Sequence, residues 1–126
     1  MPTTMQMKRV LQAYLDAINA RDPQGILDLF APDAVIEDPI GTKPKRGAEI
    51  ESFYRPIADL DVGVELAAPI RGSSGHSAAM AFTVEIRRGD ERTIVHSLDV
   101  MDFNADCKIV AMRAYNSPDD TEHAAV

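Results

Sequence analysis

Val35-Ile36-Glu37-Asp38-Pro39-Ile40-Gly41 sets two acids together between apolar residues and a Pro-apolar-Gly turn. Alternation along a short strand puts Ala34, Ile36 and Asp38 on one face, with Val35 and Glu37 on the other. If Ile36 faces the core, Asp38 faces it too, at the mouth where the strand ends. Pro39 disfavours the helical region for the residue before it, so the backbone partly sets the direction of the Asp38 carboxylate. An Asp-Pro dipeptide is also a common way to start a turn, and this stretch by itself allows either use.

Working outward, the N-terminal side is helical. From about Thr4 to Ala20, Met7, Val10, Leu11, Tyr14, Leu15 and Ile18 recur at helical spacing, with Lys8, Arg9, Gln12 and Asp16 opposite. Tyr14 falls on the buried face, where a phenol needs a hydrogen-bond partner. Asp22-Pro23 offers an N-cap and a proline at the first helical position, which predicts a short helix to about Phe30. Ala31-Pro32-Asp33 is expected to break it before the Val35 strand. A polar loop through Gly41, Pro44 and Gly47 leads to a third helix carrying Ile50, Phe53 and Tyr54, ended by Pro56.

From Val62 the period changes to two. Val62, Val64, Leu66, Ala68 and Ile70 alternate with polar or small neighbours, followed by Ala78, Met80, Phe82, Val84 and Ile86 and a turn at Arg88-Gly89-Asp90. The next strand, Arg92 to Phe103, has apolar residues on both faces. Helices are expected to cover one face and a second subunit the other. Asn104-Ala105-Asp106 turns the chain into a last strand, Lys108 to Tyr115, with His123 in a polar tail. Helices first and a curved antiparallel sheet afterwards make an α+β layout in a single domain spanning 1–126.

Asp99 lies on one strand face between Ser97 and Met101, with Leu98 and Val100 beside it. Burial there would favour the neutral acid. A solvent-reaching strand edge or a neighbouring arginine would instead leave it charged. His76, His96 and His123 have no metal-ligand spacing, and neither a nucleophile turn nor a Gly-rich phosphate loop is present. Chemistry would therefore fall to carboxylates and a phenol. The formal charge of −7 repels phosphate backbones and anionic membranes, so nucleic acid is an unfavourable partner. With one cysteine, Cys107, no secretory signal and no apolar run of membrane length, the expected setting is a reducing cytoplasm.

Several stretches taken together resemble the ketosteroid isomerases, dimeric enzymes of the nuclear transport factor 2-like fold. They are Ala13-Tyr14-Leu15, Asp33 through Gly41, Ser52-Phe53-Tyr54, Ala81-Phe82-Thr83-Val84, Leu98-Asp99-Val100-Met101 and Met112-Arg113-Ala114-Tyr115. The resemblance implies a conical curved sheet packed by three N-terminal helices. It makes Asp38 the general base that carries a proton from carbon 4 to carbon 6 of a 3-oxo-Δ5-steroid. Tyr14 and Asp99 become the donors to the dienolate oxygen, and Tyr54 a support for the Tyr14 phenol. Met80, Phe82, Val84, Met101, Met112 and Asn116 would stand beside the steroid. No cofactor or metal is implied, and a homodimer is expected. A charged carboxylate base beside a neutral carboxylic acid is the established division of labour in ketosteroid isomerases.

Four features depart from that family. Asn116 stands where an aromatic residue is usual near the base, and Phe30 implies a shorter network behind Tyr14. The segment between Asp38 and Tyr54 is one residue short, and Lys43, Lys45 and Arg46 make it basic. Two other readings stay open on sequence. One is a dehydratase, cyclase or hydrolase of the same superfamily acting on another hydrophobic molecule, which in many relatives would use a His-Asp pair. The other is a non-catalytic dimer that binds a hydrophobic ligand or a protein.

Overall fold

A computed structural model describes residues 2–125. Helix α1 (Thr4–Asn19) begins at a capping box, with Thr3 Oγ1 accepting from the Gln6 amide and Gln6 Oε1 accepting from the Thr3 amide. Its apolar stripe, Met7, Leu11, Tyr14, Leu15 and Ile18, is buried. Helix α2 (Pro23–Leu27) is capped by Asp22, and α3 (Ala48–Tyr54) continues into a 3₁₀ turn over Arg55–Asp59. The strands are β1 (Phe30–Glu37), β2 (Lys45–Arg46), β3 (Asp61–Leu66), β4 (Arg71–Gly72), β5 (Ser77–Arg88), β6 (Glu91–Phe103), β7 (Ile109–Tyr115) and β8 (Thr121–Ala125).

They form one sheet in the order β2-β1-β7-β6-β5-β3, with β4 on β5 and β8 on β6. The expected antiparallel sheet is present with one exception, the parallel β1–β7 pair, so the sheet is mixed. Strands β1 and β7 are far apart in sequence, with α3 and the β3, β5 and β6 strands between them, so no tight turn imposes an antiparallel pairing. The helices cover one face. Residues 78, 80 and 82 of β5 and 97, 99, 101 and 103 of β6 point toward them and are buried.

Four boundaries differ from the sequence reading. Helix α2 stops at Leu27 because the Leu29 carbonyl accepts from the Ile109 amide and the chain is already pairing with β7. Strand β1 then runs through Ala31-Pro32-Asp33, and its register with β7 shifts between Phe30 and Val35, an irregularity that accommodates a proline lacking an N–H. His123 lies in β8 instead of a tail. Strand β6 is longer than β7, and residues 121–125 pair with its uncovered edge at 91–95. Ala68 and Ile70 fall outside β3, which ends at Leu66.

Candidate active site

Three elements of different origin converge at the open end of the sheet. Parity along β1 carries Ala34 and Ile36 into the core and aims Asp38, just past the strand, along the same face. Ile36 pairs with Met112, so continuing the parallel register sets Asp38 beside Ala114, and the Ile40 amide donates to the Ala114 carbonyl at 2.9 Å. Asp99 pairs with Ala114 from the other side. The two carboxylates thus stand two strands apart, roughly 10 Å by ordinary strand spacing. Only the methyl of Ala114 rises between them.

From the helical layer, Tyr14 and Tyr54 meet with their hydroxyl oxygens 2.7 Å apart and their rings edge to face. Tyr54 Oη also lies 3.7 Å from Met112 Sδ. A phenol has one proton, and thioether sulfur is the weaker acceptor. Tyr54 therefore donates best to Tyr14, which leaves the Tyr14 proton free for the cavity. Phe30 packs its ring against Tyr54 and adds no hydroxyl, so this network is short, as its sequence position implies.

The cavity between sheet and helices has a volume of about 340 Å³. Tyr14, Asp38, Tyr54, Phe82, Val84, Asp99 and Asn116 all line it. So do residues the sequence reading did not single out: Ile18, Phe53, Ile57, Leu60, Val62, Val64, Ile86, Val95 and Ser97. Shared parity could have indicated Val95 and Ser97, which point the same way as Asp99. Met80, Met101 and Met112 do not line the cavity, and this corrects their expected place in its wall. They have the right parity but sit deeper along their strands, fully buried in the core.

Electrostatics separate the acids. Asp99 is 2% exposed. Burial, and next the negative charge of Asp38, push its carboxyl up to about 7, while a hydrogen bond from Ser97 opposes the rise. The acid therefore changes charge within the neutral range, far above an ordinary carboxyl. Asp38 is also raised by burial, but the positive Lys45 and hydrogen bonding from Asn116 pull it back. Lys45 lies over the Phe53 ring with Nζ 4.8 Å from the centroid. Burial first, and then the surrounding negative potential, hold Tyr14 well above the usual phenol range. Tyr54 is likewise raised well above that range by burial, with its hydrogen bond to Tyr14 opposing.

None of the three histidines lines the cavity. His96 is on the opposite sheet face, paired with Glu122. Among the described residues no group of three His, Cys, Asp or Glu could hold a metal ion. The arrangement offers one carboxylate kept chargeable, one carboxyl kept protonatable and one free phenolic proton, all facing an apolar space.

The model for the SnoaL-like domain matches residues 11–112. The chain belongs to the SnoaL-like family. A steroid Delta-isomerase of Nocardioides simplex is 43% identical over 116 residues, which cover 91% of this chain and 93% of that protein. The epoxide hydrolase LasB of Streptomyces lasalocidi is 34% identical over 87 residues, 68% of this chain but only 31% of LasB. Two solved structures share the fold of this SnoaL-like protein. The epoxide hydrolase/cyclase-like enzyme SalBIII, studied for pyran ring formation in salinomycin, superposes with a TM-score of 0.87 at 24% identity, covering 96% of this chain and 98% of SalBIII. A computationally designed 17-OHP binder superposes at 0.83 and 24% identity, covering 94% of this chain and 96% of the binder. The nuclear transport factor 2-like architecture expected from the residues is therefore the fold of this family member.

Proposed function

We propose that this protein is a steroid Δ-isomerase, converting 3-oxo-Δ5-steroids to 3-oxo-Δ4-steroids by moving one proton within the substrate. The observation that carries the reading is the joint presence of Asp38, Tyr14 and Asp99 on one apolar cavity. Relatedness to the Nocardioides simplex enzyme over nearly the whole chain supports it.

In this mechanism the ionised Asp38 removes a proton from carbon 4. The electron pair of that C–H bond forms the carbon 3–carbon 4 double bond, and the carbonyl π pair moves onto the oxygen to give a dienolate. Tyr14 and the neutral form of Asp99 donate hydrogen bonds to that oxygen, where charge develops against mostly apolar walls. Asp38 then returns its proton to carbon 6, the dienolate collapses, and the double bond comes to rest between carbons 4 and 5. The substrate carbonyl acidifies the proton, so no cofactor is needed. Tyr54 acts behind Tyr14 by donating to its oxygen.

The dehydratase or cyclase alternative, in the form that relies on a His-Asp pair, is disfavoured because His96 points away from the cavity. We further assign the protein to the cytoplasm as a homodimer of single-domain chains. No helix among the described residues is long and apolar enough to cross a membrane. Ultraviolet detection of the conjugated enone formed from 5-androstene-3,17-dione tests the function. Steady turnover is expected, and a purified, folded protein with no rate above buffer would overturn it.

A further inference from the structure

Three polar side chains of the cavity, Asn116, Ser97 and Asp99, are joined in one direction. Asn116 Nδ2 donates to Ser97 Oγ at 3.1 Å, and Ser97 Oγ donates to Asp99 Oδ1 at 3.1 Å. An amide NH₂ can only donate, so Ser97 Oγ must accept from it, and the single hydroxyl proton is committed to Asp99. Oδ1 of Asp99 is thereby occupied as an acceptor. When Asp99 is neutral, its acid proton belongs on Oδ2. Asn116 also shares the cavity wall with Asp38, and its amide favours the charged form of that carboxyl. An aromatic side chain at 116 could not supply two donors.

We propose that Asn116 and Ser97 form a relay that gives the two acids opposite tasks, holding Asp38 as the charged base and keeping the Asp99 proton on Oδ2, toward the substrate. Both are positioning residues, and the proposal rests on the roles given above to Asp38 and Asp99. From other elements, Tyr14 of α1 and Tyr54 of α3 share the cavity with Asp99, and Asp38 after β1 raises its carboxyl. The cation acting on Asp38 is Lys45 of β2, and neither acid is in a salt bridge among the described residues. Without Asn116, Ser97 is free to rotate and accept from the Asp99 O–H. That would stabilise the neutral acid while diverting its proton from the substrate.

Carbon-13 titration of the Asp99 carboxyl in an Asp38→Asn background tests the relay without any turnover. Ser97→Ala should move the Asp99 midpoint upward, and Ser97→Thr, which keeps the hydroxyl, should leave it in place. Asn116→Leu should also raise the midpoint, but only while Ser97 is present. No effect of Asn116→Leu, or an equal effect in the Ser97→Ala background, overturns the relay. If Leu at 116 fails to preserve the amide fingerprint spectrum, Asn116→Ala makes the same comparison.

With Asp38 intact, Ser97→Ala should lower kcat on 5-androstene-3,17-dione about tenfold, the loss expected for one hydrogen bond to a polar reacting group. KM should change by less than about twofold for a group acting in the transition state, and Ser97→Thr should restore the rate. An unchanged kcat in Ser97→Ala would remove the orienting role. A parent protein without isomerase activity would end the functional reading, yet the titration would still decide the relay.

Discussion

Asp38 and Glu37 are adjacent acids with opposite fates. Asp38 lines the cavity, whereas Glu37 lies on the other strand face, where it contributes to the field at Arg113. Asp38→Asn keeps the shape and removes the proton acceptor, so kcat should fall by roughly 10²–10⁴, the usual range for a lost general base. Glu37→Gln should leave kcat nearly intact, and steady-state assays of the pair check both. Asp99 makes a different prediction. Folding raises its carboxyl from the ordinary 3.8 to about 7, so between those values the native state binds the extra proton. Its neutral form is favoured fully below about pH 4, and that advantage disappears as pH rises through about 7. The interval corresponds to about 4 kcal/mol. Asp99→Asn, always neutral, should therefore gain stability over the parent as pH rises from 4 to 8, readable as a widening difference in Tm. For catalysis, Asn retains a donor and should cost less than Asp99→Ala, for which a loss of about 10²–10³ in kcat is typical of a missing oxyanion donor. The kcat/KM profile should fall on the acid side as Asp38 protonates and on the alkaline side near pH 7 as Asp99 ionises. The placement of these acids was legible because each interrupts an apolar strand face. The Asn116–Ser97 link was not, since it depends on the β6–β7 register that pairs Leu98 with Tyr115, and alternation within one strand says nothing of register.

At the scale of elements, β7 is the spacer of the site. It lies between β1 and β6, and Ala114, 1% exposed, is the residue that separates the two acids. Ala114 is buried behind the cavity wall, so a larger side chain there would displace the two acids that flank it. Ala114→Leu should lower kcat/KM by at least about 10², judged by the sensitivity of catalysis to small misplacements. Overpacking should also cost about 1–3 kcal/mol of stability. Thermal melts and steady-state kinetics measured together would show whether activity is lost in a folded protein. Periodicity predicted α1 and the long strands closely, because each carries a full stripe of apolar residues. It missed β8 and the start of β1. Thr121-Glu122-His123-Ala124-Ala125 has little apolar pattern of its own and becomes a strand because β6 offers an open edge. Pro32 reads as a break, but a shifted register with β7 tolerates it. The methionines show a related limit: parity tells which face a residue occupies but not how deep along the strand the cavity begins.

Across the whole molecule, one sheet face is covered by helices and the other is open. The open face presents Leu98 at 42% and Tyr115 at 50% exposure, paired in register on adjacent strands. Ala81 pairs with Leu98, and Ala79 pairs with the half-buried Val100, which extends the apolar surface across β5. Arg113 and Asp102 neutralise one another on the same face at 3.0 Å, so the patch carries little net charge within a chain of formal charge −7. An apolar area of this kind, central on a sheet and nearly uncharged, favours a two-fold contact between copies, in which each residue of the patch meets the patch of its mate. Association would have to overcome the repulsion of two acidic chains, so it should strengthen as salt screens that charge. Leu98→Asp adds a buried charge to each side of the proposed contact and sets like charges near the symmetry axis. Sedimentation velocity at micromolar concentration should find the parent as a dimer and Leu98→Asp as a monomer. Because Leu98 adjoins Asp99 on β6, loss of the contact should also loosen the strand that holds the oxyanion donor, and kcat should fall with the dimer fraction. A parent that sediments as a stable, active monomer at that concentration would exclude this assembly.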